Sequence, residues 1–311
     1  MTSRRGAESK KMSRSSAAAL AACTAVFVTL VACGGGSSPT AVPTPVAVVP
    51  TPPPIPKVVL ISIDGLRADA LAKAQAPEIR KLMARGVYTL RGRTILPAMT
   101  LPAHTSMLTG LEPSAHKILW DDFRPEKGTI DRPTVFTIAH AAGKRTVAVV
   151  GKEKFKTLNV EGSIDSFQIV ATDDAIANQA IIEAGVGFDL MFVHLPDVDL
   201  TGHVLKWMSP EYMKAVEAAD TAVGRIVAAM PPNTTVIVTA DHGGKDKTHG
   251  IDIAEDTTVP WVAAGGKVPA RGELSGKVNE VDTAATVLSV LGLKLPDGCS
   301  AQVVQEAVPQ P

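Results

Sequence analysis

Short runs of aliphatic and β-branched residues recur along the chain from residue 57 onward. They occupy residues 57–63, 145–150, 190–194 and 234–239, and each has the length of a buried strand. Residues 210–230 instead carry apolar side chains at helical spacing, with charge on one side and Pro231 at the end. Strands that alternate with helices are typical of a parallel sheet that is covered on both faces. The pattern therefore predicts an α/β fold with a mostly parallel central sheet and helices on both faces.

The first 32 residues have a different pattern. Residues 1–16 hold five Lys or Arg and one Glu, and an uncharged, mostly apolar run from Ala17 to Ala32 follows. A basic start before a short apolar stretch is typical of a secretory signal peptide. A membrane-spanning helix is the alternative, but this run is shorter than the ~20 residues that a bilayer requires. We therefore expect residues 1–32 to be a signal peptide.

The apolar run ends in Leu30-Val-Ala-Cys33, which resembles a bacterial lipobox, a motif in which the cysteine is lipidated. Several acyl chains on Cys33 would anchor the protein durably to a membrane. By resemblance to sorting in Gram-negative bacteria, Gly34 after the cysteine favours the outer membrane. We therefore expect a location in the cell envelope, with the protein facing the periplasm and the lipid anchor as its membrane contact.

A tether is expected between the lipidated cysteine and the first strand. Residues 34–56 are rich in Gly and Ser and then in Pro, Thr, Val and Ala, which is typical of a semi-extended linker. The expected organisation is a signal peptide at 1–32, a lipidated Cys33 with its tether at 33–56, and one folded domain at 57–311. Cys23 would leave with the signal peptide, and Cys299 would have no partner, so we expect no disulfide.

Removal of the signal peptide changes the balance of charge. The whole chain has 31 basic and 31 acidic residues, and the chain without residues 1–32 has 26 basic and 30 acidic residues. No basic run, and no basic patch interleaved with aromatic residues, remains after this removal. Nucleic-acid binding as a main role therefore lacks the positive charge that it requires.

Residues that bind metal ions or attack phosphorus follow several of the predicted strands. In parallel sheets ligands gather at the carboxyl ends of the strands, so these side chains are expected to share one site. Three aspartates, three histidines and a threonine hydroxyl suit two zinc-type ions and an alkoxide nucleophile. The candidates are Asp64, Thr100, Asp199, His203, Asp241, His242 and His249.

Simpler interpretations exist for single members of this set. An aspartate after a strand, such as Asp64, is often a helix cap, and the hydroxyl of Thr100 would cap a helix as well. His203 alone could be an ordinary loop histidine. A carboxylate and an imidazole four residues apart with Gly202 between them can, however, converge on one ion. The set in combination therefore favours a catalytic metal site over scattered polar residues.

Several motifs, in this order along the chain, resemble the alkaline phosphatase superfamily and, within it, the type I phosphodiesterase/nucleotide pyrophosphatase family. The resemblance extends from about residue 57 to residue 295. The motifs are Ser62-Ile-Asp-Gly-Leu-Arg67, the run 99–113 around Met-Thr-Leu-Pro-Ala-His, Val193-His-Leu-Pro-Asp-Val-Asp-Leu-Thr-Gly-His203, Thr239-Ala-Asp-His-Gly-Gly244, Thr248-His-Gly250, and a closing helix that starts at Val281.

The resemblance implies an alkaline-phosphatase-like three-layer sandwich with two divalent ions, expected to be Zn²⁺. One ion would be bound by Asp199, His203 and His249. The other would be bound by Asp64, Asp241 and His242 and would also bind the Thr100 oxygen. Asp199, and not Asp197, is the implied ligand because the family places its aspartate four residues before the Gly-His histidine.

The chain departs from the family at one position close to the nucleophile. The resemblance implies an asparagine that steadies a phosphoryl oxygen where this chain has Asp121. An ionised carboxylate cannot donate a hydrogen bond and repels a phosphate dianion, so we expect Asp121 to weaken the turnover of monoesters, to favour diesters or to impair activity. The chain is also short, which leaves little room for inserted regions that select substrates.

The expected function is metal-dependent hydrolysis of small-molecule phosphate diesters or nucleotide pyrophosphates through a phospho-threonine on Thr100. Phosphomonoester hydrolysis and phosphonate hydrolysis remain alternatives, as does a lipid-anchored binding protein without catalysis. An arylsulfatase would need Cys or Ser at position 100 and Arg at position 104, where this chain has Thr100 and His104. A phosphomutase would use a serine nucleophile in the cytoplasm. We expect the protein to be a monomer.

Overall fold

The computed structural model describes residues 55–308. The strands are β1 Lys57–Ile63, β2 Gly86–Arg93, β3 Thr146–Val150, β4 Ser166–Ile169, β5 Leu190–Leu195, β6 Thr234–Thr239, β7 Thr258–Gly265 and β8 Gly272–Glu273. The α-helices are α1 Ala68–Lys73, α2 Pro77–Ala84, α3 Thr100–Thr109, α4 Pro113–His116, α5 Val135–Ala141, α6 Asp173–Val186, α7 Asp197–Leu205, α8 Pro210–Ala229, α9 Ala254–Thr257 and α10 Asp282–Val290. Two 3₁₀ helices span Pro125–Lys127 and Glu153–Leu158.

The eight strands form one sheet in the order β4-β3-β5-β1-β6-β7-β2-β8. The five strands from β4 to β6 in this order run parallel to one another. The four strands predicted from the sequence are β1, β3, β5 and β6, and the predicted helix at residues 210–230 is α8. The prediction of an α/β fold with a mostly parallel sheet is therefore confirmed.

The last three strands of this order, β7, β2 and β8, do not all run in the same direction, which the apolar runs did not indicate. β7 pairs with both β6 and β2 in antiparallel fashion, whereas the short strand β8 pairs with β2 in parallel. The five parallel strands, which include the central strand β1, all end at the same edge of the sheet. This is the edge where ligands gather in such folds.

Alternate residues of β1 point into two separate hydrophobic cores, one on each face of the sheet. Val59 and Ile61 belong to the core that includes residues of α2, α6 and α8. Val58 and Leu60 belong to the core that includes residues of α3, α5 and α10. Strands buried on both faces need continuous apolar sequence, which is why the run 57–63 contains little polarity. Helices on both faces make the three layers that the resemblance implies.

The expectations for the amino-terminal part lie outside the described residues. The signal peptide, the lipidation of Cys33 and most of the tether fall within residues 1–54 and remain predictions, as does the boundary of the domain at residue 57. Across residues 55–308, none of the helices combines the length and the apolar character that a membrane crossing requires.

Candidate metal centre

The carboxyl ends of β1, β5 and β6 bring three of the predicted aspartates to one edge of the sheet. Asp64 directly follows β1, Asp241 lies shortly after β6, and Asp199 lies in the first turn of α7, which follows β5. β1 pairs in parallel with both β5 and β6, so these strand ends lie side by side. Asp64 is not a helix cap, because α1 begins only at Ala68 and its cap residue is Arg67.

Gly65 allows the end of β1 to approach α7 closely. Its φ of 71° lies in the left-handed region, and a Cβ at this position would lie 2.9 Å from the Cα of Asp199. The Gly65 N–H donates to the Oδ1 of Asp241 at 3.1 Å. A side chain at position 65 would therefore separate carboxylates that the fold brings together.

Six of the predicted side chains form two compact groups. One group is Asp199, His203 and His249, and the other is Asp64, Asp241 and His242. Within each group, one ligand atom from each residue lies within 4.8 Å of the others. The two groups adjoin, since the rings of His242 and His249 stack with their centroids 3.7 Å apart. This grouping matches the assignment that the family resemblance implies.

The three histidines of these groups share the same hydrogen-bonding arrangement. Each donates its Nδ1–H to a main-chain carbonyl: His203 to Lys247 at 3.0 Å, His242 to Gly243 at 2.7 Å, and His249 to Ala98 at 2.8 Å. A carbonyl oxygen only accepts, so the neutral rings carry their proton on Nδ1 and a lone pair on Nε2. The Nε2 atoms of all three rings lie within 3.8 Å of an aspartate oxygen of the site. Backbone contacts of this kind orient histidines that bind metal.

Several buried acceptor atoms of the site have no hydrogen-bond donor among the described residues. One carboxylate oxygen each of Asp64, Asp199 and Asp241 is buried without a hydrogen-bond donor. The Nε2 atoms of His203 and His249 lie 3.2 Å apart, although both carry lone pairs in the neutral rings. Buried acceptors without donors are unfavourable, and a cation bound to each group would satisfy them. The residues present therefore fit two divalent ions with nitrogen and oxygen ligands.

Burial and charge also favour a cation at this site. Burial, and then the neighbouring Asp64, raise the pKa of the Asp241 carboxyl well above its usual range. Burial acts in the same direction on Asp64, but Lys152 and a hydrogen bond to His194 hold the pKa of Asp64 well below its usual range. Burial lowers the pKa of His249 to about 4, so this ring is neutral and able to bind metal near neutral pH.

Thr100 is the first residue of α3, and its hydroxyl faces the ligand groups. The Oγ1 atom lies 3.5 Å from the Nε2 of His242 and 3.4 Å from the Nζ of Lys152. The cap residue of α3 is Met99, which makes no side-chain cap bond, so the Thr100 hydroxyl does not cap the helix. The hydroxyl therefore lies beside both ligand groups and at a helix N-terminus, which favours negative charge.

Lys152 connects the two ligand groups, and the sequence pattern did not single it out. Its Nζ lies 2.7 Å from Asp64 Oδ2 and 2.6 Å from Asp199 Oδ2, so one ammonium pairs with a carboxylate of each group. Although burial alone would lower the pKa of Lys152, the two aspartates raise it, and the ammonium stays charged. Lys152 lies shortly after β3, as the aspartates follow their strands, and this position was the signal that could have identified it.

His194 supports Asp64 from within β5, and it was also missing from the predicted site. Gly151 donates its N–H to the Nδ1 of His194 at 3.2 Å, so the proton of the neutral ring is on Nε2. That Nε2 donates to Asp64 Oδ2 at 2.7 Å. His194 is thus a donor that orients the carboxylate of a candidate metal ligand. In the sequence it ends the apolar run 190–194 and lies within the motif that starts at Val193, but that motif assigned no role to it.

Asp256 organises both turns that carry the ligand histidines. Its carboxylate accepts the N–H groups of Gly250 and Ile251 at 2.9 Å and 3.0 Å, directly after His249. Its backbone carbonyl accepts the N–H of Gly243 at 2.8 Å, directly after His242. One residue of α9 therefore positions a ligand in each group, although no local motif marks it.

Asp121 lies outside α3 and contacts its first turn, next to Thr100. Its Oδ1 accepts the N–H of Leu101 at 2.7 Å, and its Oδ2 pairs with the Nζ of Lys154 at 2.8 Å. The position close to Thr100 agrees with the one that the resemblance implies. The sequence alone indicates an isolated carboxylate at this position, whereas the structure gives Asp121 a lysine partner.

Comparison with known families places this site in context. The model of the Metalloenzyme superfamily matches residues 131–295, which is more than half of the chain. The chain belongs to the metalloenzyme superfamily. The model described as Type I phosphodiesterase / nucleotide pyrophosphatase matches residues 58–159, which include Asp64, Thr100 and Asp121. The resemblance to the alkaline phosphatase superfamily, and to its phosphodiesterase branch, is therefore confirmed.

Curated relatives of this metalloenzyme carry several names. The chain is similar to GPI ethanolamine phosphate transferase 1 of Homo sapiens, at 24% identity over 79% of this chain and 32% of the relative. It is also similar to a 2,3-bisphosphoglycerate-independent phosphoglycerate mutase of Idiomarina loihiensis, at 30% identity over 48% of this chain and 28% of the relative. An uncharacterized pyrophosphatase/phosphodiesterase of Schizosaccharomyces pombe matches at 23% identity over 60% of this chain and 44% of the relative. The chain thus spans less than half the length of these relatives.

Solved structures share the fold of this metalloenzyme. Murine ectonucleotide pyrophosphatase / phosphodiesterase 5, in an inactive form in complex with AMP, superposes with a TM-score of 0.68 at 16% identity, over 81% of this chain and 99% of that chain. A putative sulfatase from Bacteroides fragilis gives a TM-score of 0.68 at 13% identity, over 85% of this chain and 80% of that chain. Both similarities show the fold alone, because phosphodiesterase and sulfatase share it.

The matches confirm the prediction of an enzyme of the phosphoric ester hydrolase class at the level of the family. The matched family model and relatives are named for phosphodiesterase, pyrophosphatase and phosphate transferase reactions. The superfamily match and the two ligand groups together support divalent metal ions.

Proposed function

We propose that this protein is a metal-dependent phosphodiesterase that hydrolyses small phosphate diesters or nucleotide pyrophosphates through a covalent intermediate on Thr100. The position of the Thr100 hydroxyl carries the proposal. It lies at a helix N-terminus, 3.5 Å from a histidine of one ligand group and 3.4 Å from the lysine that pairs with both groups. A threonine that served only the helix would not need these neighbours.

The ligand groups would hold two divalent ions, which we propose to be Zn²⁺ because three imidazole nitrogens and three carboxylates are typical zinc ligands. Bound ions of this kind act as Lewis acids that lower the pKa of a bound hydroxyl and neutralise charge that develops on phosphoryl oxygens. In each group the histidines present unprotonated Nε2 atoms and the aspartates present oxygens without donors, so the chain itself prepares both sites.

The reaction would proceed in two displacements at phosphorus. In the first, Thr100 Oγ1 loses its proton and bonds to phosphorus, while the ester oxygen leaves with the alcohol group and takes up a proton. In the second, water attacks phosphorus, the bond from phosphorus to Oγ1 breaks, and the hydroxyl of Thr100 is restored. Lys152 contacts Oγ1 at 3.4 Å and would stabilise the negative charge on that oxygen when it attacks and when it leaves.

Hydrolysis of phosphomonoesters is the second candidate, and one observation favours it. Lys154 pairs with Asp121 at 2.8 Å, so the carboxylate expected to repel a phosphate dianion is compensated. The electrostatic repulsion between the site and a bound phosphate therefore differs less between diesters and monoesters than Asp121 alone would imply. Phosphonate hydrolysis and transfer to an alcohol acceptor would use the same nucleophile.

The test compares bis-p-nitrophenyl phosphate with p-nitrophenyl phosphate as substrates of the zinc-loaded protein. We expect turnover of the diester to exceed turnover of the monoester, and Thr100→Ala to abolish both. Thr109→Ala is the matched control, because Thr109 is a buried threonine of the same helix whose hydroxyl bonds only backbone groups, the carbonyl of Thr105 and the N–H of Leu111. Acid quenching during turnover should leave phosphate on residue 100, detectable by mass spectrometry. Activity that survives in Thr100→Ala would refute the covalent route.

We also propose the lipid-anchored location on the basis of residues 1–56. Metabolic labelling with a palmitate analogue in the native bacterium should mark the protein at Cys33 and not the Cys33→Ala variant. Fractionation should find the wild type with the outer membrane. Equal labelling of both forms would contradict the anchor without affecting the proposed chemistry.

A further inference from the structure

We propose that Lys154 binds a phosphoryl oxygen of the substrate and that Asp121 holds Lys154 in place for this role. The inference rests on the proposed function, because it names a substrate contact at the same site. It concerns residues that lie outside both ligand groups, and its support is the geometry around the start of α3.

Asp121 is fixed against the backbone next to the nucleophile. Its Oδ1 accepts the N–H of Leu101 at 2.7 Å, and Leu101 directly follows Thr100. This N–H is one of the first in α3 and has no acceptor within the helix, so Asp121 takes the place where an anion would otherwise bind. Alone, its carboxylate would repel a phosphoryl group on Thr100, and it cannot donate a hydrogen bond to one.

Lys154 supplies what the carboxylate lacks. Its Nζ lies 2.8 Å from Asp121 Oδ2, and within residues 55–308 the structure gives this ammonium no other acceptor. An ammonium has three donors, so two remain for an anion. The side chain is only 16% exposed, which limits the screening of its charge by water. The pair is therefore neutral overall, both carboxylate oxygens have a donor, and the remaining hydrogen-bonding groups of Lys154 are donors that can meet an incoming oxygen.

The backbone around Lys154 directs it toward the nucleophile. Lys152, two residues earlier, reaches the Thr100 hydroxyl at 3.4 Å. The next alternate residue, Lys156, is instead paired with Glu153 at 2.7 Å on the exposed side of the 3₁₀ helix. In the segment 152–156, Lys152 thus contacts the Thr100 oxygen and Lys154 contacts the neighbouring Asp121 carboxylate. Lys156 pairs with Glu153 instead.

The positive charge of Lys154 offsets the negative charge of Asp121, and this affects how the site meets a phosphate. Without Lys154, the uncompensated carboxylate of Asp121 would lie close to the phosphorus atom and would repel the phosphate. With Lys154 present, the phosphate meets a cation that pairs with Asp121, and the other oxygen of Asp121 accepts a backbone N–H of α3. The expected substrate contact is one non-bridging oxygen of the phosphate, an oxygen that diesters and monoesters share.

The experiment compares Lys154→Met with Lys156→Met in the full chain loaded with zinc. We expect Lys154→Met to lower kcat/KM for bis-p-nitrophenyl phosphate at least tenfold and Lys156→Met to change it less than twofold. The double variant Asp121→Asn/Lys154→Met should regain most of the loss, because an amide still accepts the Leu101 N–H and also donates to the substrate. Lys154→Arg should keep more activity than Lys154→Met.

Two results would overturn the inference. One is equal kcat/KM in the two methionine variants, and the other is a double variant that is no better than Lys154→Met, as expected if Lys154 only stabilises the fold. Thermal unfolding of each variant identifies any that does not fold, in which case Lys154→Arg and the double variant decide. If the wild type hydrolyses no ester, the proposed function fails separately. Affinity for inorganic phosphate, measured by calorimetry, then tests Lys154, and equal affinities in both methionine variants would reject its role.

Discussion

At the residue scale, we expect one hydrogen bond of His194 to affect the affinity of the metal site. It donates to Asp64 at 2.7 Å from a fully buried position, and its own orientation depends on the N–H of Gly151. His194→Phe keeps a ring of similar size and removes the donor. We expect zinc affinity to fall about 10- to 100-fold, measured by competition with a chromophoric chelator. His140→Phe, at a partly exposed histidine outside the site, is the control, and equal affinity in both variants would contradict this role.

Site residues that lie in a local motif could be predicted from the sequence, whereas residues whose role depends on partners far along the chain could not. Asp241 and His242 stand in a local Gly-rich motif, and the structure brings them together with Asp64. Lys152 and Asp256 lie in no such motif, and the motif that contains His194 assigned no role to it. Their roles arise only when β3 and β5 pair beside β1 and when α9 packs under the turns, and no local pattern encodes those contacts.

At the level of elements, two aspartates join the starts of α6 and α7. Asp173 Oδ1 accepts the N–H of Asp197 at 3.1 Å, and Asp197 Oδ2 accepts the N–H of Asp173 at 3.0 Å. Asp197, which the family spacing set aside as a ligand, therefore has a structural role. Burial, and then the charge of Asp197, raise the pKa of Asp173 to about 7.

This raised pKa predicts how the stability of the protein depends on pH. A carboxyl that holds its proton more tightly in the folded state stabilises fully below its unfolded pKa of about 4, and this stabilisation is lost as pH rises toward 7. Asp173→Asn keeps the acceptor and cannot ionise. We expect its melting temperature to exceed that of the wild type at pH 8 and to differ less at pH 5. The exposed neighbour in Asp174→Asn serves as control, and a variant less stable at both values would refute the pKa argument.

The turn after β6 predicts a second effect at this scale. A Cβ on Gly243 would collide with the backbone oxygen of Glu255, which belongs to α9. We expect Gly243→Ala to lower the free energy of unfolding by about 1–3 kcal/mol and to weaken zinc binding, because it displaces the turn that carries His242. Gly185→Ala, in α6 with open space around it, should be neutral or stabilising by up to about 1 kcal/mol. Denaturant unfolding measures both, and equal effects would contradict the close contact.

Elements differed in how far the sequence predicted them. β1 and β6 have continuous apolar runs because neighbours cover them on both faces, and their predicted bounds coincide with the observed ones. β7 contains Pro260 and several small residues, so it lacks a clear run. Its strand conformation depends on antiparallel pairing with β6 and β2, which is a property of the assembled sheet.

At the scale of the whole molecule, metal binding should appear as global stability. The two groups hold three buried carboxylate oxygens without donors, which a cation would satisfy. A ligand at 100 times its dissociation constant stabilises the folded state by about 2.7 kcal/mol per site. We expect zinc to raise the melting temperature of chelator-treated protein by several degrees and magnesium to raise it less, because imidazole ligands suit zinc better. Identical melting curves with zinc and with chelator would count against the metal centre.

The lysine shared by the two ligand groups also connects distant parts of the chain. Because Lys152 pairs with Asp64 and Asp199 at once, one ammonium after β3 joins the residue that follows β1 to the first turn of α7. Loss of this ammonium would leave two buried carboxylates with less compensation for their charge. The integrity of the fold therefore depends on the same side chain that contacts the Thr100 hydroxyl, so a substitution at this position would lower stability as well as activity.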